Sequence, residues 1–148
     1  MIEINNLTYF RVDEKFLKKL AQKVLANEEK NKTELSIALV GPKRIKELNK
    51  KYRKKDRITD TLSFTYNNSG QPAKLREALL AGEIVICPQE VKKNAKRFDS
   101  TFKKELTRVL IHGILHLFGY DHEGSEKEAE KMRKKEEYYF SKILNSKF

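Results

Sequence analysis

Residues 101–118 read TFKKELTRVLIHGILHLF, and this stretch decides the architecture. From Val109 to Phe118 the only polar side chains are His112 and His116, set among Val, Leu, Ile and Phe. A helix apolar on nearly every side belongs in a core, so the remainder of the chain must supply layers to cover it. Just upstream, GEIVIC (residues 82–87) reads as a strand, and Pro88 opens a helix bearing Val91, Ala95 and Phe98. Further upstream, TLSFTY (61–66) alternates as another strand, followed by the turn-forming NNSGQP and a short helix near Lys74 to Leu80. ELSIALV (34–40) is a strand stopped at Gly41, and Pro42 suits the first turn of a helix whose buried stripe is Ile45, Leu48 and Tyr52. At the N-terminus, residues 2–10 alternate loosely as a first strand, and Asp13 caps a helix carrying Phe16, Leu17, Leu20, Val24 and Leu25. Downstream, Ser125 with Glu128 three residues on is a capping-box start for a last helix. Strands and helices alternate without repeats or a long linker, which predicts one α/β or α+β domain over residues 1–148.

The size supports that reading. A chain of 148 residues buries roughly 70% of its unfolded surface around a single core. With 39% hydrophobic and 36% charged residues, fibrous and low-complexity classes are excluded. No segment approaches the roughly 20 consecutive apolar residues of a bilayer span. The N-terminal MIEINNLTYF lacks the basic and apolar regions of a signal peptide. A soluble, unexported, cytoplasmic protein is expected, with no membrane partner. The single cysteine, Cys87, cannot form an internal disulfide, in keeping with a reducing compartment, and fills a buried strand position.

Positive charge is clustered. The chain carries 32 Lys and Arg against 21 Asp and Glu, a formal charge of +11. Nine of the basic residues (Lys43, Arg44, Lys46, Lys50, Lys51, Arg53, Lys54, Lys55 and Arg57) fall within fifteen positions that hold only Glu47 and Asp56 as acids, a local charge of +7. Such a field attracts a phosphate backbone, which makes nucleic acid the natural partner. A Lys-rich face kept for solubility is the alternative. The stretch from Glu126 to Lys142 mixes both signs and reads as a wet helix face.

All three histidines, His112, His116 and His122, lie within eleven residues. Residues four apart on a helix project from one face, so His112 and His116 are placed to chelate one ion. Gly119 can take the left-handed conformation that ends a helix and return the chain so that His122 reaches the same point. A buried imidazole needs both nitrogens satisfied, and a metal on one with a hydrogen bond on the other does so. Three protein ligands describe a catalytic site that keeps a position for water or substrate, which points to a hydrolase. A carboxylate from Asp60, Glu83 or Asp121 would instead close the site.

The spacing H-x-x-x-H-x-x-G-x-x-H is that of the metzincin proteases, whose motif places a Glu base directly after the first His. Gly113 stands there. Peptide hydrolysis by that route lacks its proton acceptor, and a different reaction is expected.

HGILHLFGYDH (residues 112–122) resembles the H-G-x-L-H-L-x-G-Y-D-H signature of the YbeY endoribonuclease family of rRNA maturation factors. LNKKYRKKDRITDTLSF (48–64) is similar to that family's L-N-x-x-Y-R-x-x-D-x-x-T-[DN]-V-L-S-F block, and GEIVIC to its G-D-I-V-I-C block. Thr61 stands where Val is usual and Glu83 where Asp is usual. The resemblance implies an α+β fold with a zincin-like mixed four-stranded sheet, the histidine helix central behind it. It also implies a zinc site at His112, His116 and His122, with nickel or cobalt as substitutes that three imidazoles accept. The implied activity is cleavage of single-stranded RNA in ribosomal RNA processing, at the 3′ end of the small-subunit 16S RNA, and in ribosome quality control. RNA of the small ribosomal subunit is then the partner, and DNA is not. The functional arginine of the family falls on Arg53, suited to a bidentate grip on the scissile phosphate. Arg53 and His116 are thus the residues assigned to catalysis.

Other residues carry two readings each. Asp121 either orients a histidine or caps the final turn. Asp60 and Ser63 either line a cleft or face solvent. Phe64, Tyr66, Phe98 and Phe102 either stack bases or belong to the core. Two rival functions accompany the nuclease: a non-catalytic RNA-binding assembly factor with a structural metal, and a metalloprotease with a substitute base.

Overall fold

The computed structural model describes residues 1–66, 81–121 and 123–145. In chain order the elements are β1 (Ile2–Asn6), α1 (Glu14–Asn27), β2 (Glu34–Leu39), α2 (Pro42–Arg53), β3 (Thr61–Tyr66), β4 (Ala81–Ile86), α3 (Pro88–Arg97), α4 (Phe102–Leu117) and α5 (Glu126–Leu144). Helix starts follow side-chain chemistry. Asp13 accepts from the Phe16 amide at 3.0 Å, Thr101 from Lys104 at 3.1 Å and Ser125 from Glu128 at 3.1 Å, each satisfying an amide with no intrahelical partner. Pro42 and Pro88 sit in the first turns of α2 and α3, where their missing N–H costs nothing. The NNSGQP turn and the short helix expected near Lys74 to Leu80 lie outside the described residues.

The sheet order is β1-β2-β4-β3. β1, β2 and β4 run parallel, and β3 lies antiparallel against β4, with Ser63 opposite Ile84 and Phe64 opposite Glu83. This is the mixed four-stranded α+β sheet that the family resemblance implied. Strand alternation sorts side chains onto two faces. Leu35, Ile37, Leu39, Ile84 and Ile86 join Leu17, Leu20, Leu110 and Ile114 in the main core beneath α1 and α4. Val85, Cys87 and Leu62 turn the other way, into a smaller cluster with Ile45 of α2.

Helix α4 is the hub, in contact with α1, α3, α5 and the two strands β3 and β4. Its approach to the sheet depends on two glycines. A Cβ at Gly113 would sit 3.2 Å from Ile84 Cγ2 and 3.3 Å from Ser63 Oγ, and one at Gly82 would sit 2.8 Å from Leu117 Cδ1. No helix among the described residues is long and apolar enough to cross a membrane.

Three expectations are corrected. The first strand ends at Asn6 instead of continuing to Phe10, because the Asn6 side chain replaces the ladder: its amide donates to the Phe10 carbonyl (2.8 Å) and its oxygen accepts from the Thr8 amide (3.0 Å). Tyr52, assigned to the buried stripe of α2, is 53% exposed, since it lies in the last turn of the helix beyond the small cluster and leans edge-on against Phe64. Phe98 is the C-cap of α3 rather than a member of its apolar face, and is exposed.

Candidate active site

A cleft of about 740 Å³ opens between the end of α2, strand β3 and the C-terminal half of α4, and Arg53, Asp60, Ser63, His112, His116 and Asp121 all contribute to its lining. His112 and His116 share one face of α4, their ring centroids 4.5 Å apart and their planes at 80°. The Nδ1–H of His112 donates to Oε1 of Glu136 on α5 at 3.1 Å. That acceptor selects the neutral tautomer whose lone pair is on Nε2, the arrangement in which a carboxylate orients an imidazole for a metal. The donor set present here therefore fits a borderline-soft divalent ion such as zinc. His122 lies outside the described residues. Among the described residues no third His, Cys, Asp or Glu joins His112 and His116 in a ligand cluster.

The helix ends as its sequence predicts. Gly119 has φ 90°, and its amide and that of Tyr120 return to the carbonyls of His116 and Leu115, both at 3.2 Å. Asp121 accepts from the Glu123 amide at 2.8 Å, as a turn-capping side chain does.

Arg53 is the last residue of α2, with Lys54 at φ 58° turning the chain away immediately after it. The guanidinium donates to the backbone carbonyl of Ser63 and lies 5.2 Å over the Phe64 ring. It thereby covers the outer edge of β3 and holds its fork at the cleft. Ser63 lines the cleft and turns its side chain toward α4, its hydroxyl donating to the Gly113 carbonyl at 3.0 Å. Asp60, just before β3, is reached by the Asn94 amide at 3.4 Å. Burial pushes its carboxyl above the usual range. Glu83 is absent from the cleft lining: its neighbours Gly82 and Ile84 face α4, so alternation turns it away from the histidine helix. Of the four aromatics weighed for stacking, Phe64 lies beneath Arg53 and lines the cleft with Tyr66, Phe102 packs on the main core against Phe10, and Phe98 stands apart.

With this geometry in view, comparison with known sequences is decisive: residues 3–144 match the sequence model of the family described as Endoribonuclease YbeY. The chain belongs to the YbeY endoribonuclease family. It is similar to the Endoribonuclease YbeY of Petrotoga mobilis, 39% identical over 97% of this chain and 95% of that protein. It is also similar to that of Thermotoga maritima, at 40% identity over 87% of this chain and 81% of that one. The YbeY protein of Thermodesulfovibrio yellowstonii is 48% identical over 74% of this chain, a match spanning 66% of that protein's length. The solution structure of a Thermotoga maritima protein superposes with a TM-score of 0.66 at 36% identity, covering 97% of this chain and 89% of that one.

Three residues outside the quoted YbeY motifs, or unexplained within them, were missed by sequence reasoning. Glu136 was read as part of a wet face, yet it falls in register with the buried Met132, Tyr139 and Ile143 of α5, and that spacing is the signal that it points inward. Asn49 is buried in α2 and its amide donates to the Arg57 carbonyl at 3.0 Å, tying down the basic loop after Arg53. Its signal was a polar residue beside an apolar stripe. Glu28 had none: its carboxylate accepts from Tyr120 (2.9 Å), Lys135 (2.9 Å) and Tyr139, all more than ninety positions away in the sequence. Burial alone would raise its carboxyl, but the hydrogen bonds from Tyr139, Lys135 and Tyr120 outweigh that and hold it below the usual range.

Proposed function

We propose that this cleft is the centre of a metal-dependent endoribonuclease that cleaves single-stranded RNA in ribosomal RNA processing. In this reading His112, His116 and His122 hold one zinc ion, for which nickel or cobalt can substitute. The substrate is the 3′ region of the small-subunit RNA, and the location that follows is the cytoplasm. The single observation that carries it is the shared lining: Arg53 from α2 and the two histidines of α4 face one cleft of about 740 Å³, in a member of the YbeY endoribonuclease family.

A metal at the histidines would supply Lewis acidity toward the phosphoryl group. The chain's own groups do the rest. Arg53, held by the Ser63 carbonyl and the Phe64 ring, presents donors to a phosphate oxygen and stabilises charge that builds there during cleavage. Lys55 and Arg57 at the rim extend the attractive field along the entering strand. Gly113, where a protease of matching spacing carries its base, faces Ile84 and Ser63 rather than the cleft. A carboxylate at that position would point into the sheet, which disfavours the protease reading.

Elemental analysis coupled to digestion of single-stranded RNA tests the proposal. Wild type should carry about one metal per chain and cleave. His116→Ala should lose both while remaining folded, and Arg53→Ala should keep the metal and lose about a hundredfold in rate. Cleavage that survives in His116→Ala would overturn it. A wild type that binds metal, melts early without it and cleaves nothing would establish the structural-metal alternative.

A further inference from the structure

The carboxylate of Glu28 is a buried junction between three parts of the fold. Glu28 is the C-cap of α1, and its side chain is only 8% exposed. One oxygen accepts from the Tyr120 hydroxyl at 2.9 Å. The other accepts from the Lys135 ammonium at 2.9 Å and from the Tyr139 hydroxyl. Lys135 and Tyr139 are one turn apart on α5, which Met132, Tyr139 and Ile143 anchor in the main core. The carboxylate is therefore held by a rigid helix on one side and offers a fixed acceptor on the other.

What it holds is the exit from the histidine helix. Gly119, left-handed, breaks the helical direction, and a glycine imposes little direction of its own on the chain that follows. Tyr120 is the next residue, and its ring packs partly buried against the main core with its hydroxyl on Glu28. In sequence, Tyr120 lies four residues after His116 and two before His122. Ring packing limits where the turn can go laterally, and the directional hydrogen bond sets how far along and at what angle. Metal–ligand distances tolerate only about 0.2 Å, so the course of this turn bears directly on whether a third imidazole arrives in place.

We infer that Glu28 is a positioning residue for the metal centre, acting through Tyr120 to set the path by which the chain leaves α4 toward His122. The inference rests on the three-histidine reading above. It assigns to α5 a second hold on the site, separate from the contact of Glu136 with His112.

The test compares two tyrosines that bond the same carboxylate. Zinc affinity is measured by chelator competition, and the geometry of the site by the ligand-field absorption of the cobalt-loaded protein, on full-length wild type, Tyr120→Phe, Tyr139→Phe and Glu28→Ala. Each phenylalanine removes one hydroxyl and keeps its ring. Tyr120→Phe should weaken zinc about tenfold, the scale of lost support around a ligand, and change the cobalt spectrum. Tyr139→Phe, which leaves Lys135 on the same carboxylate oxygen, should lower the melting temperature and shift affinity and spectrum less than Tyr120→Phe. Glu28→Ala, which removes the acceptor itself, should reproduce the zinc and cobalt changes of Tyr120→Phe, and it carries the test if that variant does not fold. Wild-type affinity in either Tyr120→Phe or Glu28→Ala overturns the inference, as does an equal loss in Tyr139→Phe, which would mark a general packing effect. A wild type that binds no zinc defeats the metal reading itself and is seen before any variant is compared.

Discussion

The hydroxyl of Ser63 donates to the backbone carbonyl of Gly113 at 3.0 Å, joining edge strand β3 to the helix that carries His112 and His116. The carbonyl of the same serine accepts from Arg53. One small residue thus fixes the Arg53 guanidinium and the histidine helix relative to each other, using a side chain for one and backbone for the other. Ser63→Ala removes the link to α4 alone. Stability should fall by about 1 kcal/mol, the net worth of one such hydrogen bond, read as a lower urea midpoint with an unchanged slope. RNA cleavage should fall less than in Arg53→Ala, because the backbone acceptor of Arg53 remains.

Gly113 tolerates little. A methyl group there meets Ile84, fully buried in β4, at 3.2 Å and 3.4 Å. Crowding of this kind costs about 1–3 kcal/mol, and the better helix propensity of alanine returns about 1 kcal/mol. Gly113→Ala should therefore melt a few degrees lower than wild type. Gly113→Glu, which restores the protease-like sequence, should not yield folded soluble protein and should show no peptidase activity on a peptide library.

Glu136 orients His112 through its carboxylate. Glu136→Ala should weaken zinc by about 10- to 100-fold in chelator competition. Glu136→Gln retains an acceptor oxygen and should lie between that variant and wild type. Equal affinities across the three proteins would contradict the role.

Thr61 occupies the position where the family pattern has Val, and its hydroxyl oxygen is buried without a hydrogen-bond partner among the described residues. An unsatisfied buried hydroxyl costs about 1–3 kcal/mol. Thr61→Val, nearly the same shape, should raise the melting temperature by several degrees in a thermal scan. A lower melting temperature would refute this account.

Glu28 gives a pH signature. Its carboxyl is held below the ordinary value of 4.5 in the folded state, with Tyr120, Lys135 and Tyr139 facing it. A depressed folded value means that its contribution is complete above the unfolded value and is lost as pH falls through the folded one. The stability difference between wild type and Glu28→Gln should be about 1.5–3 kcal/mol near neutral pH and should shrink as pH drops below about 4.5. Denaturant titrations at a series of pH values measure it. A difference independent of pH would show that the charge of Glu28 contributes nothing.

Much of this protein was legible without coordinates, because the deciding interactions are local. Asp13, Thr101 and Ser125 cap helices whose first amides lie two or three residues away. Pro42 and Pro88 carry their helix positions in their own rings, and Gly119 is left-handed because the helix must stop there. Four-residue spacing alone placed His112 and His116 on one face. The partners of those residues were decided elsewhere. Arg53 was one of nine neighbouring cations until β3 brought it a carbonyl and an aromatic ring. Glu136 looked like a surface charge, and Glu28 carried no signal, until the folded chain brought His112 to the one and Lys135 to the other. Glu83 looked like a site carboxylate until strand alternation turned it away from the histidine helix. Hydrogen bonds within a turn are written in adjacent letters. Those between residues twenty to a hundred positions apart exist only once burial of the apolar faces has brought the elements together, and they fix the geometry of the cleft.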